Sequence, residues 1–245
     1  MKTVIISGGS SGIGWATLEC FAQADYFCFI LDKKPPEKIH PTAQFLECDL
    51  TQVDQIYACV NALVKTHATI DALVCNAGVH FSASLLDTDE HAFDHIMNTN
   101  FRSAFFLTQA VLPHMIAQKK GAILFVGSDQ SLVARPHSAI YGASKAALAS
   151  LARTTAIDYA QVGIRSNVVA VGTVETPLYQ KAIARYCERM GASLEAVHAL
   201  EGQEQPIGRV GQPDEIAELI YFLCSDAASY ITGGIYPIDG GYTAR

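Results

Sequence analysis

Tyr141 and Lys145 lie four residues apart in Ser138-Ala-Ile-Tyr-Gly-Ala-Ser-Lys-Ala-Ala-Leu-Ala-Ser-Leu151. The small and apolar residues of this stretch predict the start of a long helix, on which a separation of just over one turn puts phenol and ammonium on one face. A lysine held beside a tyrosine stabilises phenolate and is expected to pull the phenol down from about 10 toward working pH. Such a pair takes a proton from an alcohol or, in reverse, gives one to a carbonyl. Alone, Tyr-x-x-x-Lys more often marks a half-buried tyrosine and a solvated lysine, so the rest of the chain has to decide.

A second motif opens the sequence. Lys2-Thr-Val-Ile-Ile-Ser7 is a β-branched run, followed by Gly8-Gly-Ser-Ser-Gly-Ile-Gly14 and the helical pattern Trp15 to Ala24. Strand, glycine turn and helix is the order in which backbone N–H groups and a helix N-terminus receive a pyrophosphate. Gly8 permits the tight turn, Gly12 lets the backbone approach the phosphates, and Gly14 allows close helix-to-strand contact. Asp32 ends the apolar run Tyr26 to Leu31, eighteen residues beyond Gly14. A carboxylate there can accept both ribose hydroxyls of NAD and repel the 2′-phosphate of NADP. Lys33 and Lys34 pull the other way, but flexible, screened ammonium groups are weaker than a fixed carboxylate, so NAD is expected over NADP.

With these motifs the chain resembles the short-chain dehydrogenase/reductase family, and the resemblance runs its full length. Ser7 replaces the threonine that usually opens the family's glycine motif, which continues as Gly8, Gly12 and Gly14. Asn76-Ala77-Gly78 matches the Asn-Ala-Gly after the fourth strand, and Asn100 in Asn98-Thr-Asn-Phe101 matches the helix asparagine. Ser128, thirteen residues before Tyr141, matches the active-site serine at the end of the strand Gly121 to Gly127. The resemblance implies a catalytic set of Asn100, Ser128, Tyr141 and Lys145. In it Ser128 would hydrogen-bond the substrate oxygen, with Ser131 the alternative; Lys145 would also reach the nicotinamide ribose; and Asn100 would hold a water on a relay to solvent.

The same resemblance implies a cofactor site. Gly8, Ser10, Ser11, Gly12, Ile13 and Gly14 would surround the dinucleotide, with Asp49 and Leu50 at the adenine. Asn76, Ala77 and Gly78 would lie along the adenosine ribose, and Gly172, Val174 and Thr176 toward the carboxamide. Asp49 could equally begin a turn or cap a helix. Val171-Gly172 stands where the family has Pro-Gly, and loss of the proline is expected to loosen that loop. His80, Asp129, Gln130, His137 and Tyr179 are the candidate substrate-pocket residues, a lining that leans toward a polar substrate. The implied activity is that of an NAD-dependent alcohol dehydrogenase or carbonyl reductase. A 3-oxoacyl carrier-protein reductase is the inner alternative and would need a basic docking patch. A non-catalytic dinucleotide sensor is the outer one and would need no proton relay.

Elements must hold these residues in place. Strand patterns at Tyr26 to Leu31, Ala43 to Cys48, Asp71 to Cys75, Gly121 to Gly127, Ile164 to Val171 and Gly234 to Ile238 follow the first strand. Helical patterns at Val53 to Thr66, His91 to Gln118, Tyr141 to Val162 and Pro213 to Leu223 lie between them. The alternation predicts one α/β domain over 1–245, a doubly wound, Rossmann-like parallel sheet of about seven strands with helices on both faces. Its ligand crevice belongs at the carboxyl ends of the strands. The family resemblance places a substrate lid around 177–205, where no motif predicts the structure.

Composition narrows the partners. Half of the 245 residues are apolar, enough for a core on each sheet face, and the net charge of −7 argues against a nucleic-acid partner. Val4-Ile-Ile6 is too short for a signal peptide, and no apolar run approaches the ~20 residues of a membrane span, so a cytoplasmic protein with a small-molecule substrate is expected. Seven cysteines without a Cys-x-x-Cys pair suit that compartment, and Cys28, Cys48 and Cys75 are expected in the core. No metal site is expected: His91 and His95, at helical spacing, lack further ligands. The apolar helix from Tyr141, with Phe101, Phe105 and Phe106 on the preceding one, predicts a second buried face and a homotetramer, as in much of the resembled family.

Overall fold

The computed structural model describes residues 1–67 and 69–245, apart from the side chain of Arg189. Seven strands form one sheet: β1 (Lys2–Ser7), β2 (Tyr26–Asp32), β3 (Ala43–Glu47), β4 (Ala72–Cys75), β5 (Gly121–Val126), β6 (Ile164–Val171) and β7 (Ile235–Ile238). Every pairing is parallel, in the order β3-β2-β1-β4-β5-β6-β7. The winding reverses between β1 and β4, which is where an open α/β sheet leaves a crevice. Among the described residues no helix is long and apolar enough to cross a membrane.

Side chains alternate across each strand and so feed two cores. Ile5 of β1 and Ile123 and Phe125 of β5 face one layer, built on α2 (Val53–Thr66), α4 (Ser103–Gln118) and α5 (Ala139–Tyr159). Val4, Ile6, Leu124 and Val126 face the other, closed by Leu18 and Phe21 of α1 (Gly12–Gln23) and by Ile216 and Ile220 of α8 (Pro213–Cys224). Cys28, Cys48 and Cys75 are buried, as expected.

Two expectations need correction, and one segment without a motif takes shape. The helix predicted over His91 to Gln118 is interrupted: α3 (Glu90–Met97) passes into a π turn at Asn98–Arg102 before α4 begins. The wider turn carries Asn100 inward, and such turns recur at functional sites. The segment 177–205 is almost wholly helical, as α6 (Pro177–Met190) and α7 (Leu194–Glu204). The loop after β6 is not loose. Glu175 N–H donates to the Gly211 carbonyl at 2.9 Å and Gly211 N–H to that of Thr173 at 3.0 Å. Backbone pairing supplies the restraint that a proline would have given.

Candidate active site

At the carboxyl ends of the central strands one crevice of about 580 Å³ opens, well inside the usual range for small-molecule sites, about 300–1,000 Å³. Its dinucleotide end is built from β1, β2 and β4. Gly8 has φ +65°, and a Cβ there would lie 2.8 Å from the Ala77 Cα, so a side chain at this position would force the turn off β4. Asn76 holds the two together, its Nδ2 donating to the carbonyls of Ser7 at 3.1 Å and Gly8 at 2.9 Å. Gly14 packs beneath the turn, where a Cβ would strike the Gly8 carbonyl. The N-terminus of α1 has neither a side-chain cap nor an acidic residue in its first turn, leaving its positive end to the crevice. That donor set fits a pyrophosphate.

Asp32 sits at the tip of β2. Its Oδ2 accepts from Ser10 N–H at 3.3 Å and its Oδ1 from Lys33 N–H at 2.8 Å, which fixes the carboxylate at the crevice wall. The Lys33 ammonium leans away onto Asp49, 3.1 Å from its Oδ1. Asp49 also begins a turn, accepting from Thr51 N–H at 2.9 Å and from the Thr51 hydroxyl at 2.7 Å, while it and Leu50 line the crevice. Ser11, Gly12, Ile13, Asn76, Ala77, Gly78, Gly172, Val174 and Thr176 line it too; Gly14 lies beneath the turn, and Ser10 ties it to the end of β2, its hydroxyl donating to the Lys34 carbonyl at 2.7 Å. Thr176 caps α6, its hydroxyl accepting from Tyr179 N–H at 3.1 Å.

The other end of the crevice carries Ser128, Tyr141 and Lys145. Lys145 is 5 % exposed and donates to the Val126 carbonyl at 2.8 Å. Burial draws its pKa down to about 8. The ammonium lies 5.8 Å from the centre of the Tyr141 ring rather than at its hydroxyl. The phenol is therefore not lowered as the helical spacing suggested. Burial pushes Tyr141 up to about 12; a hydrogen bond with Ser128 and the charge of Arg135 oppose that rise, and the charge of Asp129 adds to it.

Ser128 is 5 % exposed, and its hydroxyl donates to Asp129 Oδ1 at 2.6 Å. Ser131, the alternative, is committed elsewhere: its hydroxyl donates to the Lys145 carbonyl at 3.1 Å and accepts from Ser128 N–H at 3.3 Å. Asn100 is fully buried. Its Oδ1 accepts from Val79 N–H at 2.8 Å, and its Nδ2 donates to the Val79 carbonyl at 3.0 Å and to the Ser144 hydroxyl at 3.1 Å. The side chain thus splints the strand-end loop that carries Gly78, and it does not line the crevice.

Of the substrate-pocket candidates, His80, Asp129, Gln130 and Tyr179 line the crevice. The His80 ring meets that of Tyr141 edge-on, centres 5.0 Å apart, and burial followed by the Arg135 charge lowers its pKa. Tyr179 pairs its hydroxyl with His198 Nδ1 at 3.0 Å. His137 does not belong: it is exposed at φ +55°, its carbonyl accepting from Ala83 N–H at 2.8 Å in the loop leading to α5. Sequence reading missed Arg135 and Glu201, both in the lining. Burial, reinforced by Glu204, raises the Glu201 pKa. An arginine six residues from each of Asp129 and Tyr141 was the available signal for the first; nothing in the sequence marked the second. Among the described residues no group of three or more His, Cys, Asp or Glu could hold a metal ion.

Comparison with known proteins finds relatives that match nearly the whole chain. A family model described as enoyl-(acyl carrier protein) reductase matches residues 8–243. The 3-oxoacyl-(acyl-carrier-protein) reductase FabG of Thermotoga maritima is 35% identical over 249 residues, covering 98% of this chain and 97% of that protein. The cis-4-hydroxycyclohexanecarboxylate dehydrogenase of Sinomonas cyclohexanicum is 34% identical over 253 residues, covering 99% and 97%. A crystal structure of a short chain dehydrogenase family protein from Francisella tularensis superposes with a TM-score of 0.94 at 34% identity, covering 100% of both chains.

Proposed function

The chain belongs to the short-chain dehydrogenase/reductase family, whose members bind nicotinamide dinucleotides, and from that premise we propose that it moves a hydride between NAD(H) and a secondary alcohol or the matching ketone, with Tyr141 as general acid and base. The observation that carries the reading is the convergence of Ser128, Tyr141 and Lys145 on the same crevice as the glycine turn and Asp32. A bound nicotinamide supplies the acceptor or donor of the hydride. Tyr141 takes the hydroxyl proton in oxidation and returns it in reduction. Lys145, buried and titrating near 8, stands one helical turn below to hydrogen-bond the nicotinamide ribose and to feed protons to the phenol. The Asn100 side chain is occupied by Val79 and Ser144, so its part in this reading is to hold the loop that carries Gly78 against the crevice.

Asp32 supports NAD over NADP. Its oxygens each accept one backbone N–H and keep lone pairs for ribose hydroxyls, and Lys33, one of the two lysines that could have met a 2′-phosphate, is drawn to Asp49. The helices of 177–205 are the proposed substrate lid. The name of the Thermotoga maritima relative favours a second reading, reduction of a 3-oxoacyl carrier-protein thioester. The net charge of −7 weighs against docking an acidic carrier.

The test is absorbance of reduced nicotinamide across secondary alcohols, hydroxy acids, polyols, aldoses, steroids and a 3-oxoacyl thioester, with NAD(H) and with NADP(H). Turnover of an alcohol class with NAD bears the reading out. Tight cofactor binding with no turnover of any class would replace it with a dinucleotide sensor.

A further inference from the structure

Beside Tyr141 lies an ion pair to which the proposed reaction gives no role. Asp129 is 3 % exposed, and its Oδ2 accepts from Arg135 Nη2 at 2.8 Å. Its Oδ1 accepts from the Ser128 hydroxyl at 2.6 Å and from Gln130 N–H at 2.8 Å. Arg135 is gripped independently: the Tyr242 ring, in the chain's last turn, is centred 4.2 Å from its guanidinium carbon, and Glu204, at the end of α7, is 3.8 Å from its Nη1. The pair is built into the site rather than laid on the surface.

Its consequence follows from the inventory of one hydroxyl. Serine has a single proton to donate. With that proton on Asp129 and Gln130 N–H donating to Oγ at 3.2 Å, Ser128 keeps one lone pair for the phenol or the substrate oxygen, and it must break a charge-assisted bond before it can donate to either. The charges act on the phenol in opposite senses. Asp129 disfavours phenolate and Arg135 favours it. Lys145 lies below the ring, the His80 imidazole at its edge, and Glu201 and Glu204 face Arg135 from α7.

We propose that Asp129 and Arg135 are positioning residues of the proton-transfer site: Arg135 anchors Asp129, Asp129 fixes the direction of the Ser128 proton, and the pair holds two opposed charges against Tyr141. The inference rests on the reading of Tyr141 as the group that transfers the proton.

The experiment compares Asp129→Asn, Arg135→Gln, Arg135→Lys and the double variant D129N/R135Q, each checked for fold by circular dichroism. Two quantities are read: the pH profile of alcohol oxidation, and the ionisation of Tyr141 without cofactor, by carbon-13 NMR of labelled tyrosine with Tyr141→Phe assigning the signal. Removing the carboxylate leaves the guanidinium unopposed, so D129N moves both to acid by about one pH unit. R135Q leaves the carboxylate unopposed and moves both to alkaline by a similar amount. The double variant returns close to the parent, and R135K, which keeps the charge, stays there.

A merely structural pair would lower rates and leave the profiles in place. Profiles unmoved in both single variants, moved in the same direction, or left displaced in the double variant overturn the proposal. If one single variant unfolds, the sign of the other together with R135K decides. Full turnover in Tyr141→Phe sinks the reading of Tyr141 itself, whereas an inactive Tyr141→Phe with unmoved D129N and R135Q sinks only the ion pair's role.

Discussion

A phenol pushed up to about 12 is protonated through the whole neutral range, and that sets a sign for each direction of the reaction. Carbonyl reduction has its donor already loaded, and its rate falls only as Lys145, drawn down to about 8 by burial, gives up the proton that resupplies the phenol. Alcohol oxidation needs phenolate, so its kcat/KM climbs with pH, about tenfold per unit below the phenol's pKa. Measuring both directions from neutral to alkaline pH checks this, and an oxidation profile already flat at neutral pH contradicts it. At the opposite end of the crevice, Asp32→Ala should narrow or reverse the preference for NAD(H) in kcat/KM, since it removes the group that repels a 2′-phosphate; equal use of NADP(H) by the unaltered chain would refute the assignment. The residue types at this scale were readable from the sequence, because Tyr141, Lys145, Ser128 and the glycines announce themselves by spacing. Their depth was not. Spacing put the Lys145 charge beside the phenol, but the ammonium lies 5.8 Å from the ring centre, and burial, a property of the assembled walls, raises the phenol.

Elements with regular periods were predicted nearly to their ends, as α2 and β6 show, because their patterns of buried residues repeat. The π turn at Asn98–Arg102 escaped, since the apolar period runs through it and the cause is tertiary: Asn100 is drawn to the Val79 backbone twenty-one positions earlier. Helices α6 and α7 escaped for another reason. Their caps stood in the sequence, Thr176 before Pro177, Gly191 with its positive φ and then Ser193, but α7 carries no clear apolar stripe and that of α6 runs along a strongly polar helix. The Thr176 cap yields a prediction for the proposed lid. Thr176→Ala removes the acceptor of Tyr179 N–H and should cost about 1 kcal/mol locally. Hydrogen exchange over residues 177–190 should speed up with little change in global Tm; unchanged exchange there would show that packing, not the cap, holds α6.

Over the whole molecule, one sheet gathers two sites from opposite ends of the chain's motifs: the glycine turn of β1 and the α5 pair meet because β1 and β5 both flank β4 in the sheet order and end on the same edge. The outer surfaces of α4 and α5 leave Phe105 38% and Ile157 78% exposed, and the homotetramer expected from the sequence would cover apolar side chains of this kind. Light scattering at micromolar concentration should give four times the 26.4 kDa chain mass, and a monomeric mass rules that assembly out. The convergence itself is the central claim, and Tyr141→Phe probes it most directly, because it deletes the proton-transferring oxygen and keeps the ring in its place. Cofactor affinity and turnover of the best alcohol are measured side by side in parent and variant. Unchanged NAD binding with kcat lowered by about 10²–10⁴-fold is the predicted result, and a kcat comparable to that of the parent would contradict it.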